Sequence, residues 1–248
     1  MRAYQYAIQQ FFQRYSSTAE GNLQMYKLYL VEHYKPQTIN LRIRAINSYL
    51  EYEGEAIHLT MVRVQQKMYL EHVISEADYE YLKQCLMRDG DWLYYFLIRF
   101  MATTGMRVSE VTQLMVEDVR RGERDLYSKD NKVRRIYIPK CLKQDAIQWL
   151  RREERDSGPV FLNEKQQLLT AAAIRGRLKK FAVLYGISEK VLYPHSFRHR
   201  FAKSFIERCG DISLLSDLLG HESIETTRIY LRRTSTEQQR IVNQIVDW

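Results

Sequence analysis

Cysteine, glycine and proline are all scarce in this sequence. Its 248 residues include three cysteines, ten glycines and four prolines. The cysteines (Cys85, Cys141 and Cys209) are odd in number, lie far apart and form no Cys-x-x-Cys pair, which argues against a disulfide framework and a structural zinc site. Helical periodicity dominates instead, as the shortage of helix breakers allows.

The sequence also lacks a hydrophobic run that could cross a membrane. Its most apolar stretch, residues 93–106, is too short and is interrupted by Arg99. Residues 1–15 carry Gln and Arg among their apolar positions, which is typical of an amphipathic helix and not of a signal peptide. We therefore expect a reduced, soluble, cytoplasmic protein with no membrane partner.

Acidic residues are outnumbered by basic ones. Lys and Arg total 38 against 30 Asp and Glu, a formal net charge of +8. Apolar residues make up 45% and charged residues 27%, which indicates a globular chain and excludes a disordered one. The basic balance mildly favours a polyanionic partner such as nucleic acid, although many enzymes that never contact DNA share it.

Apolar residues recur at helical spacing along most of the chain, and the pattern predicts two domains. The periodicity decays after Gly54, so we expect an N-terminal domain at residues 1–58, a linker at 59–74 and a second domain at 75–248. The fold class is mainly α with a small antiparallel sheet. Helices are predicted at 2–15, 20–34, 36–52, 75–87, 92–104, 140–154, 170–185, 194–208, 212–219, 224–232 and 236–246, and strands at 124–127 and 133–138.

The helix predicted from Pro194 carries titratable and charged side chains on one face. His195 and Arg198 lie three residues apart and therefore side by side. An isolated pair of this kind is usually a solvated pair on a helix surface. His195 and His199 have the i, i+4 spacing of some zinc sites, but the glutamate of H-E-x-x-H is missing and Arg198 would oppose a cation. We expect no metal here.

A sharp turn is predicted shortly after that helix. Gly220 suits the left-handed end of one helix and Ser223 can cap the next, which places His221 in the turn between them. Tyr230 follows nine positions later. Most of the 18 tyrosines are expected to be packing residues, but only Tyr193 and Tyr230 occur after residue 185.

Five spaced blocks together resemble the tyrosine recombinase, or phage integrase, family. They are L-L-G-H-E-S-I-E-T-T-R-I-Y (218–230), H-S-F-R-H-R-F-A (195–202), T-G-M-R-V-S-E (104–110), S-K-D-N-K-V-R-R-I-Y-I-P (128–139) and K-P-Q-T-I-N-L-R-I-R-A-I-N-S-Y-L (35–50). The block at 104–110 looks like the family's first arginine box, the block at 128–139 like its lysine-bearing β-hairpin, and the block at 35–50 like its N-terminal core-binding domain. One such block is weak, but five in the right order over nearly the whole chain are specific.

By position in these blocks, the resemblance implies a catalytic set of Arg107, Lys129, His195, Arg198, His221 and Tyr230. Tyr230 is the expected nucleophile, and Glu110 is expected to support the first arginine box. The glycines that usually flank the hairpin lysine are missing, so Lys132 stays an alternative to Lys129.

The resemblance also implies an architecture and an activity. The fold would be a two-domain, C-shaped clamp, with a small helical (SAM-like) core-binding domain before the catalytic domain. The activity would be site-specific recombination of double-stranded DNA through a 3′-phosphotyrosyl intermediate and a Holliday junction, by a homotetramer on two recombination sites. We expect no cofactor, no metal, no small-molecule substrate and no separate arm-binding domain. The last helix, at 236–246, would dock on a neighbouring protomer or cap its own core.

The chemistry of phosphodiester cleavage accounts for these residue types. Attack on the phosphate adds negative charge to its non-bridging oxygens, and planar guanidinium groups can each hold two of them. Preorganised donors of this kind contribute about 10²–10³ each in rate. An ammonium such as that of Lys129 can protonate the departing oxygen. Three alternatives remain open. A type IB topoisomerase would use the same residues, and a non-catalytic DNA-binding protein would use Tyr230 only for packing. A metallonuclease would need a cluster of carboxylates, for which Glu117 and Asp118 are the candidate pair.

Overall fold

Helices make up most of the chain, as the shortage of helix breakers predicts. The computed structural model describes residues 2–64, 72–127, 133–221, 223–231 and 242–246. It separates into two units, Met1–Lys67 and Met68–Trp248. No helix in these described ranges is both long enough and apolar enough to span a membrane.

The first unit contains three helices: α1 (Arg2–Phe12), α2 (Glu20–His33) and α3 (Pro36–Tyr52). Pro36 occupies the first turn of α3, where its missing N–H leaves no helical hydrogen bond unmade. The three helices enclose a small core in which the rings of Phe11 and Tyr26 meet edge to face at 5.1 Å. Its buried members are Phe11, Leu23, Tyr26, Leu30, Ile39, Ile43, Ile46, Leu50 and Leu59.

Two asparagines fasten the segment after α3 to that helix. Asn47 donates to the carbonyl oxygen of Leu59 and accepts from its amide, both at 2.9 Å. One heptad earlier, Asn40 makes the same pair of bonds with Val62, again at 2.9 Å. Residues 59–64, the start of the predicted linker, therefore pack on the first unit, while residues 65–71 lie outside the described part of the chain.

Within the described residues, the second unit holds nine α-helices before residue 232 and two antiparallel strands. The helices are α4 (Glu76–Arg88), α5 (Trp92–Thr104), α6 (Val108–Val111), α7 (Val116–Arg121), α8 (Lys140–Arg152), α9 (Ala171–Tyr185), α10 (Pro194–Cys209), α11 (Ile212–Leu219) and α12 (Ile224–Arg228), followed by a 3₁₀ turn at Ile229–Leu231. Strands β1 (Glu123–Tyr127) and β2 (Val133–Tyr137) pair so that Arg124 faces Ile136 and Leu126 faces Arg134.

Helix α5 forms the centre of the large core of this unit. Most of its residues are buried, which explains why this stretch is the most apolar of the sequence. Phe96 stacks on Trp149 of α8 with ring centroids 4.6 Å apart, and Phe100 meets Phe161 edge to face at 5.8 Å. A separate, smaller cluster joins α10, α11 and the 3₁₀ turn, and Tyr230 belongs to it.

The prediction of a mainly helical fold with a small antiparallel sheet is confirmed. The differences lie at short elements and ends: α1 stops at Phe12, and the helix from Ile224 changes to the 3₁₀ turn after Arg228. Helices α6 and α7, of four and six residues, were not predicted because they are too short to show periodicity. Of the predicted last helix, residues 236–241 are not described and 242–245 are helical.

Gly105, which ends α5, lies in a tightly packed part of this unit. It has a φ of +65°, and a Cβ built on it would lie 2.5 Å from the Phe201 ring and 3.1 Å from Leu219. Gly186 ends α9 with nearly the same φ, +67°, but with nothing within 4 Å. The two glycines therefore share one backbone requirement and differ in packing.

We predict that Gly105→Ala lowers the free energy of unfolding by about 2–4 kcal/mol, because left-handed strain and overpacking add. Gly186→Ala should cost about 1 kcal/mol, the strain alone. All three tryptophans belong to the second unit, so urea unfolding followed by tryptophan fluorescence reports on it. Equal losses in the two variants would contradict the packing argument.

Candidate active site

Arg198 is a buried charge at the centre of the candidate site. It is 4% exposed, and its Nη1 donates to the carbonyl oxygen of Gly105 at 2.6 Å and its Nη2 to that of Leu219 at 2.5 Å. These carbonyls belong to the C-terminal ends of α5 and α11, where carbonyls lack helical partners and carry partial negative charge. The interpretation of Arg198 as a solvated surface charge is therefore wrong.

Arg107 reaches the same turn from the other side. It caps α6, where its amide donates to Glu110 Oε2 at 2.6 Å and its Nη1 to Glu110 Oε1 at 2.8 Å. Its Nη2 lies 3.3 Å from the carbonyl oxygen of Gly220. The Arg107 side chain is 42% exposed, so it is open to an external anion, whereas the carboxylate that orients it is largely buried.

A third arginine, Arg134 of β2, joins this group. Its Nη1 donates to Glu110 Oε1 at 3.1 Å, while its buried Nε and Nη2 have no hydrogen-bond partner within the described residues. Burial would raise the pKa of Glu110, but Arg134 and the hydrogen bonds from Arg107 outweigh it, so the pKa is lowered. One carboxylate thus serves two guanidinium groups.

The turn that carries His221 is pressed against Arg134. Gly220 has a φ of +61°, and a Cβ there would lie 2.5 Å from Arg134 Cδ. His221 Nδ1 lies 2.8 Å from Thr227 Oγ1, and Thr227 is fully buried in α12. The ring is therefore held by the helix that leads to Tyr230.

Tyr230 is buried at the end of that helix. It is 7% exposed, and its hydroxyl lies 2.8 Å from Nδ1 of His199 on α10. Burial raises the pKa of Tyr230 to about 12, although the nearby charge of Arg198 acts in the opposite direction. The phenol is therefore protonated at neutral pH.

The clustered cations also act on the histidines. Burial, followed by the charges of Arg198 and Arg107, lowers the pKa of His221 to about 4 and lowers that of His195 as well. Burial and the neighbouring Arg134 and Arg107 lower the pKa of Arg198 to about 10, which still leaves it charged at neutral pH. At pH 7 the site therefore presents arginine cations beside neutral imidazoles.

The structure brings most of the predicted site residues together. Arg107 and Arg198 donate to the carbonyls of Gly220 and Leu219 at the turn that carries His221, Tyr230 lies within the electrostatic reach of Arg198, and His195 lies within that of both arginines. Lys129 and Lys132 lie outside the described residues, between strands that end at Tyr127 and begin at Val133. An exposed arginine beside a buried one suits an incoming phosphate, whose oxygens both can bind.

The part of the chain that matches a known protein family includes the whole site. The sequence model of the phage integrase family matches residues 70–237, more than half of the chain. The chain belongs to the phage integrase family. The prediction of a site-specific tyrosine recombinase is thereby confirmed, and nothing among the similar proteins favours the topoisomerase or non-catalytic alternatives.

Relatives with high coverage support the same assignment. Tyrosine recombinase XerA of Pyrococcus furiosus is 30% identical in an alignment of 256 residues, gaps included. The alignment covers 98% of this recombinase and 87% of the relative. XerA of Pyrococcus horikoshii is 28% identical over 262 residues, with 98% and 86% covered.

Solved structures share the fold of the recombinase. The integrase of transposon Tn1549, in complex with transposon right-end DNA, gives a TM-score of 0.76 at 16% identity, over 97% of this chain and 91% of that chain. XerH recombinase bound to a palindromic difH substrate gives 0.71 at 20% identity, over 91% and 69%. The likeness holds across most of the recombinase, so it concerns the whole chain and not one motif.

Sequence reasoning missed three members of the site. Arg134 could have been found from the alternation in β2, which places it on the same buried face as Ile136. The sequence presents His199 only as a candidate metal ligand. Its position one turn after His195 does not indicate that it contacts Tyr230. Thr227 contacts His221 through a fold in the chain that no local spacing reveals.

We predict that Glu110→Gln destabilises the second unit by about 3 kcal/mol, because Arg107 and Arg134 then lack their shared, buried counter-charge. Glu225→Gln is the matched control: Glu225 also pairs with an arginine three residues away in the sequence, Arg228, but both side chains are exposed. The control should leave urea unfolding unchanged. A similar midpoint for both variants and the wild type would contradict this account.

The stability of the second unit should depend on pH through its half-buried histidines. His199 and His221 have pKa values of about 4 when folded and near 6.5 when unfolded, so between these values the unfolded chain binds more protons. The free energy of unfolding should therefore fall as the pH drops from about 6.5 to 5. Urea titrations followed by fluorescence should show that this fall in the free energy of unfolding is smaller in His199→Asn than in the wild type. In the control variant His33→Asn, whose histidine is exposed, the fall should equal that of the wild type.

Proposed function

We propose that the recombinase cuts and rejoins double-stranded DNA at a specific recombination site, with Tyr230 as the nucleophile. The observation that carries this proposal is the placement of the buried Tyr230 within the electrostatic reach of Arg198, whose guanidinium is fixed by two backbone carbonyls. A tyrosine beside fixed arginines is the arrangement that phosphoryl transfer to a phenol requires.

Arg107 and Arg198 bind the non-bridging oxygens of the scissile phosphate in this proposal. Their guanidinium groups are already oriented by Glu110 and by backbone carbonyls, so little reorganisation accompanies binding. The two charges stabilise the extra negative charge of the transition state. His195 and His221, neutral at pH 7, add donors at the same phosphate without adding charge.

The covalent step exchanges one phosphoester bond for another. The oxygen of Tyr230 forms a bond to phosphorus and gives up its proton to solvent, while the bond between phosphorus and the 5′ oxygen breaks and that oxygen gains a proton. Lys129, or Lys132 in its place, supplies the latter proton from the hairpin. The 3′-phosphotyrosyl bond conserves the energy of the phosphodiester, and the free 5′ hydroxyl of a partner strand reverses the step to form a Holliday junction.

Two further parts of the proposal concern assembly on DNA. The first unit, which includes the predicted core-binding domain, contacts the recombination site together with the second unit, and the net charge of +8 of the whole chain favours DNA binding. Four protomers act together on two sites. Val242, Ile245 and Val246 near the C-terminus are apolar yet exposed, as a segment that docks on a neighbouring protomer would be.

Tyr230→Phe is predicted to abolish the covalent adduct, because phenylalanine has no oxygen to attack phosphorus. Tyr193→Phe is the control, since Tyr193 is the other tyrosine after residue 185 and lies near enough to influence Tyr230 electrostatically. Each protein is incubated with labelled, nicked duplexes from the DNA that flanks its own gene, in EDTA, and analysed on a denaturing gel. A shifted band should appear with the wild type and Tyr193→Phe.

The gel separates the alternatives. A shifted band that persists in Tyr230→Phe would overturn the assignment of the nucleophile. Tight binding of one fragment by the wild type without any adduct would favour a non-catalytic DNA-binding role. An adduct accompanied by relaxation of supercoiled plasmid at any sequence would favour the topoisomerase alternative.

A further inference from the structure

His199 makes a contact that none of the proposed catalytic roles uses. We propose that His199 is a further catalytic residue, which positions the nucleophile by accepting a hydrogen bond from the Tyr230 hydroxyl at Nδ1. This inference rests on the proposed function of Tyr230. It assigns a role to an imidazole that the sequence presents only as the neighbour of Arg198.

The geometry of the contact is direct. Nδ1 of His199 lies 2.8 Å from the Tyr230 hydroxyl, and the ring centroids are 5.8 Å apart at an angle of 49°. Within the described residues, His199 is the hydrogen-bond partner of the Tyr230 hydroxyl. Because Tyr230 is 7% exposed, water cannot easily replace the lost partner if His199 is removed.

The position of His199 on α10 explains how its contact with Tyr230 can affect the reaction. The adjacent residue, Arg198, holds the phosphate in the proposed mechanism, and both side chains leave the same rigid turn of helix. The distance between the phosphate site and the nucleophilic oxygen is then set by a helix and not by a loop. Errors of about 1 Å in such placement cost up to about 10²-fold in rate.

The protonation states favour positioning over proton removal. Burial, followed by the charges of His195 and Arg198, lowers the pKa of His199 to about 4, whereas that of Tyr230 is raised to about 12. The imidazole is therefore neutral and the phenol protonated, and in the tautomer that carries its proton on Nε2 the hydroxyl donates and Nδ1 accepts. With its acceptor so much less basic than the phenolate, the proton stays on Tyr230 until the phosphate and its arginines stabilise the developing phenolate.

Three variants of His199 test the role of its Nδ1 atom. Asn places an amide oxygen near the position of Nδ1, Gln places one near Nε2, and Leu offers no acceptor. The rate of adduct formation is measured under single-turnover conditions on the nicked duplex that traps the wild-type adduct. Binding of the same duplex is measured by gel shift, and folding by thermal unfolding.

We expect His199→Leu and His199→Gln to form adduct about 10–100-fold more slowly than the wild type, with unchanged DNA binding. His199→Asn should stay within about fivefold of the wild type, because its oxygen can accept the same hydrogen bond. Should the leucine variant not fold, the comparison of Asn with Gln carries the test, since both are polar amides.

The outcomes that overturn the inference are distinct from those that overturn the nucleophile. A leucine variant as fast as the wild type, or faster, shows that the contact does not aid the reaction. Equal slowing by Asn and Gln shows that ring packing matters and the acceptor does not. An adduct that persists in Tyr230→Phe, or is missing from the wild type, removes the proposed function and this inference with it.

Discussion

The organisation of the second unit depends on one buried charge, that of Arg198. A guanidinium that is 4% exposed must replace its hydration with protein acceptors, and it does so with the terminal carbonyls of α5 and α11. Both helices end at a glycine in the left-handed conformation, which turns the chain away and leaves those carbonyls free. The ends of two helices are thereby fixed against a third, α10.

The same charge sets the electrostatics around it. Arg107 and Arg134 lie near enough to repel Arg198, and a single carboxylate, Glu110, offsets the first two. Burial and the surplus of positive charge together keep the surrounding imidazoles neutral, and the same positive charge would attract a phosphate. Affinity for an anion is thus built into the folded chain at the expense of some stability, as expected where function strains a fold.

Much of this arrangement was predictable, and the limits are physical. Long amphipathic helices such as α10 can be recognised by the periodicity of their apolar residues. The caps of α11 at Asp211 and Gly220 can be predicted from the conformations that Asp and Gly prefer. The contact of His199 with Tyr230 spans 31 residues and depends on how α12 folds back, which no local pattern encodes. The burial of Arg198 was equally hidden, because a sequence shows a charge but not the carbonyls that will receive it. Family resemblance supplied the roles that local spacing could not.

The approach of Gly220 to Arg134 links two parts of the chain that are distant in sequence. The side chain of Arg134 fills the space where any residue but glycine at 220 would place its Cβ. Positions 134 and 220 therefore share one volume, and the size tolerated at either depends on the occupant of the other. A displacement of β2 that moved Arg134 toward Gly220 would therefore press directly on the turn that holds His221.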